Sequence, residues 1–207
     1  MLLPPVLFLF NIKGHSHQFS KVKNGKTKIL PHLQIHLTEA ARGDKSSALV
    51  IGAGIAGMQS ALLLAEMGTK VFLLEQGPAI GGYFPLLDKT FPTNSCGVCF
   101  MSPTPPAFCP IYECHLHDNI ELLPYSEVVK VEGKEGDFNV SVIRKPRMVD
   151  PKRCTLCEAC IKACPVEVER EFGGGLEKRK AIYLPFPQAI PHSLVIDPKP
   201  VPGAENV

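Results

Sequence analysis

The sequence predicts an α/β fold: a strand–helix–strand unit, then a β-hairpin, then a small segment organised by cysteines. Three observations carry that prediction. ALVIGAGIAGMQSALLLAEMGTKVFLLEQ, from Ala48 to Gln76, joins two short apolar runs through a glycine turn and an apolar helical stretch. DFNVSVIRKP, from Asp137, alternates apolar and polar residues as a half-buried strand does. CTLCEACIKACP, residues 154–165, spaces four cysteines as C-x2-C-x2-C-x3-C and places a proline after the last.

The chain has 207 residues, 45% hydrophobic, which allows a real core and makes global disorder a poor description. Net charge is +2 with no concentrated basic stripe, so charge gives nucleic-acid binding no support. The opening MLLPPVLFLF is apolar but has no basic flank or small-residue cleavage site and is interrupted by Pro4 and Pro5. It is also too short to span a bilayer, so no membrane span is expected. Eight cysteines, several of them in C-x2-C spacing, point to metal or redox chemistry in a reducing compartment, and a cytoplasmic location is expected. Residues 1–46 show no clear period; His15, His17, His32 and His36 could form a metal tract, but the segment is expected to be a poorly ordered leader.

From there each element follows from its residues. Residues 48–52 read as a buried strand, 55–67 as a helix stopped by Gly68 just past its end, and 70–74 as the next strand, with Glu75 at its carboxyl end. The turn Gly52-Ala53-Gly54-Ile55-Ala56-Gly57 fits G-x-G-x-x-G, with strand before and helix after. In that setting the first glycine permits the tight turn, the second lets a pyrophosphate approach the backbone, and the third lets helix and strand pack closely. The anion would rest on unpaired N–H groups at the helix start, and Glu75 could accept hydrogen bonds from ribose hydroxyls. This is a Rossmann-type dinucleotide site, with Gln76 next to the acid. NAD and FAD share the fingerprint. Gly81-Gly82, so soon after the acid, resembles flavoproteins of the disulfide-reductase type; the competing reading is a plain loop glycine pair. FAD is the expected cofactor.

SCGVCFMSPTPPAFCPIYEC holds Cys96, Cys99, Cys109 and Cys114 in a proline-rich stretch expected to be a loop, residues 94–116, and not a helix. These thiols could hold an iron–sulfur cluster or a tetrahedral zinc. Alternatively, Cys96 and Cys99 could form a redox dithiol beside a flavin, or the cysteines could be inert. His115 and His117 read as solvated loop residues. Strands are expected at 120–123 and 127–132, the latter paired with 137–144 through the Gly133–Gly136 turn.

Cys154, Cys157, Cys160 and Cys164, followed by Pro165, form the bacterial ferredoxin run that holds [4Fe-4S] clusters; a zinc knuckle is the bland alternative. In two-cluster ferredoxins the fourth cysteine serves the other cluster, so one run is half a site. Expected units are therefore 1–46, 47–146 with the cysteine loop, and a partial ferredoxin-type 4Fe-4S domain at 147–207.

VIGAGIAGMQSALLLAEMG, GGYFPLLDKTFPT, LLPYSEVVKVEG, RKPRMVDPKRCTLCEACIKACPVEV and EKRKAIYLPFPQAIPHSLVID together resemble the A subunit of heterodisulfide reductase, over residues 47–198. The resemblance implies an FAD-containing iron–sulfur protein that passes electrons between partner subunits, in some organisms by flavin-based bifurcation. It further implies an FAD domain interrupted by a ferredoxin insert. Gly52, Gly54, Gly57, Glu75, Gly81 and Gly82 would then meet FAD, and Cys154, Cys157, Cys160 and Cys164 would meet [4Fe-4S] clusters. Members carry a second cysteine run after the segment matching SLVIDPK, where this sequence reads PVPGAENV. The expectation is therefore a chain truncated before that run, with Cys164 facing the second cluster's site.

The expected function is an electron-transfer flavin/iron–sulfur subunit of an oxidoreductase complex. Its chemistry would belong to its cofactors, with no Ser-His-Asp or paired-carboxylate set. Two other readings stay open: a non-catalytic metal-binding or assembly module stable only with partner chains, and an NAD-dependent dehydrogenase with a zinc loop.

Overall fold

The computed structural model describes residues 7–8, 32–38, 47–87, 109–134 and 137–197, the first two stretches as backbone strands. In chain order the elements are β1 (Leu7–Phe8), β2 (His32–Thr38), β3 (Ser47–Ile51), α1 (Ile55–Glu66), β4 (Lys70–Glu75), α2 (Pro110–Leu116), β5 (Ile120–Pro124), β6 (Ser126–Lys134) and β7 (Asp137–Arg144). After these come α3 (Ala159–Ala163), β8 (Glu167–Glu169), β9 (Lys178–Lys180), β10 (Ile182–Tyr183) and β11 (Val195–Ile196).

The centre is a parallel sheet in the order β3-β4-β5, crossed by α1 and then by α2, with β1 added antiparallel to the outer side of β3. This is a Rossmann-type β-α-β-α-β half. Branched and aromatic residues make β4 a strand, and it is buried on both faces: Val71 and Leu73 on one, Phe72 and Leu74 on the other. On the first face lie Met58, Ala61, Leu62 and Ala65 of α1 with Ile111 and Cys114 of α2. On the second, Leu49, Phe72, Leu74 and Leu123 meet Val140 and Val142 from β7. The second layer is the antiparallel sheet β2-β7-β6.

Helix α1 can lie close on the sheet because Gly57 has no side chain. A Cβ there would stand 1.8 Å from the Gly52 carbonyl oxygen, well inside contact distance. Gly68, at φ +85, ends the helix and turns the chain into β4, as the sequence predicts.

Three expectations need correction. The cysteine stretch is not loop throughout, because Pro110–Leu116 is a helix. Proline at its first position gives up an N–H that has no intrahelical partner there, and its fixed φ suits a helix start. The segment 1–46 is not leader throughout, since Leu7–Phe8 pairs with β3 and His32–Thr38 pairs with β7 along all seven residues. Nor is residue 147 a boundary in the packing. Phe186, Ala189 and Ile190, downstream of the ferredoxin run, are buried in the same core as α1 and α2. Cys96, Cys99, His15, His17 and the chain after Asp197 lie outside the described residues.

Gly57→Ala is expected to destabilise the fold by about 3 kcal/mol or more, because backbone must move to admit the methyl group. Urea unfolding measures this; an unchanged midpoint would show that α1 can lift from the sheet freely.

Candidate functional site

Two groups of sequence-predicted residues are built on this frame. The first is the glycine turn. Gly52 turns at φ +95 at the end of β3, and Gly54 caps α1 with no side-chain hydrogen bond and no acid in the first turn. The first N–H groups of α1 are thus left for an anion, on the positive end of a helix dipole. Among the described residues, a Cβ at Gly52 or Gly54 would meet nothing within 4 Å, so space opens beside the turn, whereas Gly57 is packed. Ile55 and Ala56 form the start of the helix.

Glu75, at the end of β4, reaches back to this turn. Its Oε2 accepts the Ala53 N–H at 2.8 Å and its Oε1 accepts the Gly77 N–H at 2.8 Å. A carboxylate has about four lone-pair positions, so each oxygen keeps capacity for a ribose hydroxyl. Gln76 turns elsewhere: its Nε2 donates to Glu127 Oε1 at 2.7 Å. Lys145 and then Gln76 hold the Glu127 carboxyl below its ordinary value.

Gly81 and Gly82 come back onto the same turn. The Gly81 N–H donates to the Ala53 carbonyl at 2.8 Å, and a Cβ on Gly82 would stand 3.0 Å from Gly54 Cα. Both glycines have positive φ, +127 and +64. Any side chain at Gly81 would strike Pro85 and Ile111 at 2.6 and 2.9 Å and lie 3.4 Å from Phe186. The pair is a second wall of the turn and not a free surface loop.

The second group is the cysteine run. Leu156 and Glu158 take left-handed backbone, φ +56 and +59, which bends the chain sharply between Cys154 and Cys160. Helix α3 carries Cys160, and Cys164 caps its end. Cys157 and Cys160 are exposed; Cys154 and Cys164 are partly buried. The Ala159 N–H, then the Thr155 side chain, holds the Cys157 thiol below its ordinary value. The Ile182 N–H does most to lower that of Cys164, with Val166, Ala181 and the charge of Lys180 adding to it. As a thiol, Cys164 Sγ donates to the Val166 carbonyl at 3.6 Å. Among the described residues no three His, Cys, Asp or Glu side chains are placed to hold a metal ion. The fit of the run to a cluster rests on its four thiols and on backbone N–H groups turned toward Sγ atoms, the donors that stabilise a cluster's charge.

Two candidate thiols separate from these groups. Cys114 is fully buried on the inner face of α2, with Sγ 3.7 Å from the Met58 carbonyl it donates to. Burial first, then the charge of Glu113 and then Cys109, pushes its thiol up to about 12. It packs as a core residue. Cys109 caps α2 and is partly buried. His117 Nδ1 accepts the Asn119 N–H at 3.1 Å, so this histidine closes the end of α2 rather than standing free in a loop. The sequence reading missed Arg147, whose guanidinium donates to the Pro78 carbonyl and, at 3.3 Å, to the Ser193 carbonyl. Only its proximity to the run could have drawn notice.

Residues 50–88 match an NAD(P)-binding Rossmann-like domain, and residues 147–169 match a 4Fe-4S binding domain. The chain is 50% identical over 149 residues to the second form of the iron-sulfur A subunit of CoB–CoM heterodisulfide reductase from Methanopyrus kandleri, covering 72% of this chain and 22% of that one. It is 45% identical over 150 residues to the A subunit of the H(2):CoB-CoM heterodisulfide,ferredoxin reductase of Methanothermobacter marburgensis, with 72% and 22% covered. A protein of Archaeoglobus profundus named as like the heterodisulfide reductase A subunit is 51% identical over 151 residues, with 72% and 21% covered. The chain therefore spans about a fifth of the length of these relatives. Among the described residues, no helix is long and apolar enough to cross a membrane.

The Cys114 shift has a sign that can be tested. The folded state keeps this proton while the unfolded chain loses it near the ordinary value of 9.0, so its contribution is complete below pH 9.0 and falls as pH rises toward about 12. Relative to Cys114→Ala, the wild type should lose up to about 1.4 kcal/mol per pH unit across that window. Denaturant unfolding at stepped pH reads this, and parallel curves for the two proteins would contradict it. In the folded, metal-free protein at neutral pH, iodoacetamide should label Cys157 and Cys160 and spare Cys114.

Proposed function

From a chain that belongs, over its matched 150 or so residues, to the family of heterodisulfide reductase A subunits, we propose an electron-transfer flavin/iron–sulfur subunit of an oxidoreductase complex. FAD would lie along the turn Gly52, Gly54, Ile55, Ala56 and Gly57, with its ribose at Glu75, Gln76 alongside, and its pyrophosphate between the α1 start and Gly81-Gly82. Cys154, Cys157, Cys160 and Cys164 would hold [4Fe-4S] iron. The observation that supports this best is a shared wall: the segment whose Ile182 N–H faces Cys164 continues to Phe186, which packs against Gly81. Such a wall would hold the two cofactors at a fixed separation.

When bound, the flavin supplies two-electron chemistry and the cluster supplies one-electron transfer. The protein's own residues bind and orient. The first turn of α1 takes the diphosphate charge, Glu75 fixes the ribose, and the glycines give the backbone its close approach. N–H groups at Cys157 and Cys164 offset thiolate charge. The proposed partners are the other subunits of a heterodisulfide reductase-like or electron-bifurcating complex, and the proposed location is the cytoplasm. Cys109 and Cys114, with Cys96 and Cys99, are weaker candidates for a further metal, because Cys114 is buried in the core.

The deciding measurement is iron, sulfide and flavin content after anaerobic purification and reconstitution. We expect about four irons for each complete cubane, and bound flavin. Cys157→Ser should lower iron and leave flavin in place, and Gly54→Val should do the reverse. Iron without flavin would leave only a metal-binding module, and a colourless protein would sink both cofactor assignments.

A further inference from the structure

We propose that Arg147 is a positioning residue of the dinucleotide site, a fork that ties the loop bearing Gly81-Gly82 to the segment returning from the cysteine run. The proposal rests on the FAD reading above and adds to it a residue outside any glycine motif or cysteine run.

Besides the Gly77 N–H bond to Glu75, residues 77–82 are held at four further points. The Tyr125 N–H donates to the Gly77 carbonyl at 2.8 Å, and the Arg147 Nη1 donates to the Pro78 carbonyl. The Ile80 N–H donates to the Ile190 carbonyl at 3.2 Å, and the Gly81 N–H to the Ala53 carbonyl at 2.8 Å. Two of these anchors, Arg147 and Ile190, come from residues outside the glycine turn and its sheet. Arg147 joins them to the rest of the returning segment: its Nη2 donates to the Ser193 carbonyl at 3.3 Å, and its own carbonyl accepts the Ile196 N–H at 3.2 Å.

The side chain is suited to a geometric role. Its partners are two carbonyls on different segments, which the planar guanidinium can reach at once and a lysine ammonium on its flexible stem cannot match in the same directions. It is held there against a cost. Burial is the largest influence lowering its pKa, and the charge of Arg144, which a lysine there would keep, lowers it too. Among the described residues, Arg147 Nε and Ser193 Oγ are also buried without a hydrogen-bond partner. Native proteins keep few such atoms, and a joint that retains two is one whose geometry matters more than its hydrogen-bond count. Through the joint, movement of the returning segment becomes movement of Pro78, three residues before Gly81.

The test compares Arg147→Lys, Arg147→Gln and, as a control, Arg144→Lys. Arg144 also donates to a carbonyl, that of Leu122 at 3.3 Å, but is exposed and lies off the loop. FAD binding to the apo chain is followed by quenching of flavin fluorescence, with far-UV circular dichroism as the folding check. Both Arg147 variants should raise the Kd about tenfold or more, the scale of a lost charge-assisted hydrogen bond, while the control stays at wild type. Restoration of wild-type affinity by lysine would show that only the charge matters and would overturn the fork. Peptide-resolved hydrogen exchange on the ligand-free chain reads the strap without flavin. Arg147→Lys should speed exchange at 77–83 and at 190–196 together, and unchanged exchange there overturns the inference even if glutamine prevents folding. If the wild type binds no FAD while exchange responds as expected, the flavin reading and the positioning of its site fail and a structural strap alone remains.

Discussion

Everything near the dinucleotide turn depends on one steric fact: the Gly57 Cα sits almost against the Gly52 carbonyl. That contact sets the distance from α1 to the sheet, so it fixes where the first-turn N–H groups point and how far Met58, Ala61 and Ala65 reach into the core. Glu75 then spans from the end of β4 to the Ala53 N–H, locking turn to strand. Gly81 and Gly82 can dock beside Gly54 only because these contacts leave the Ala53 carbonyl aimed outward to receive an N–H. One missing methyl group thus organises three segments.

The cysteine run is less independent than its motif suggests. It bends through left-handed residues into a five-residue helix, too short to be stable by itself, that packs against β10. Just after it β8 and β9 pair, with Glu167 and Lys180 in an ion pair at 2.9 Å. After β9 the chain pairs β10 with β11 and returns through Phe186, Ala189 and Ile190 to the main core. Arg179 lies 3.6 Å over the Tyr183 ring and pairs with Asp197, closing the base of this return. The two candidate cofactor sites are therefore two faces of one packed body.

Much of this was legible in the sequence, where signals are local. The strands 48–52 and 70–74, the helix ended by Gly68 and the 137–144 hairpin arm all appear within a residue or so of their expected ends, because period, glycine and branching agree there. Helix α2 was hidden by the prolines that precede and open it. Its clue was Ile111 and Cys114, three apart and so on one helical face, a spacing that suits burial better than a ligand. β2 had a clue too, since HLQIHLT alternates over seven residues, but its polar surroundings masked it. The return of Phe186 to Gly81 had no local signal. AIYLPFPQAIPHS has no period, and its partners lie about a hundred residues upstream.

That distant return has a consequence for the order in which the molecule is made. A ribosome releases the glycine turn, α1 and β4 early, and these can pair at once through nearby contacts. The wall behind Gly81, however, arrives only with Phe186 and Ile190, after Cys164 has left the exit tunnel. Contacts of such long sequence separation form late because the loop between them must first be closed. A nascent chain therefore exposes all four thiols of the run before the wall behind Gly81 is in place.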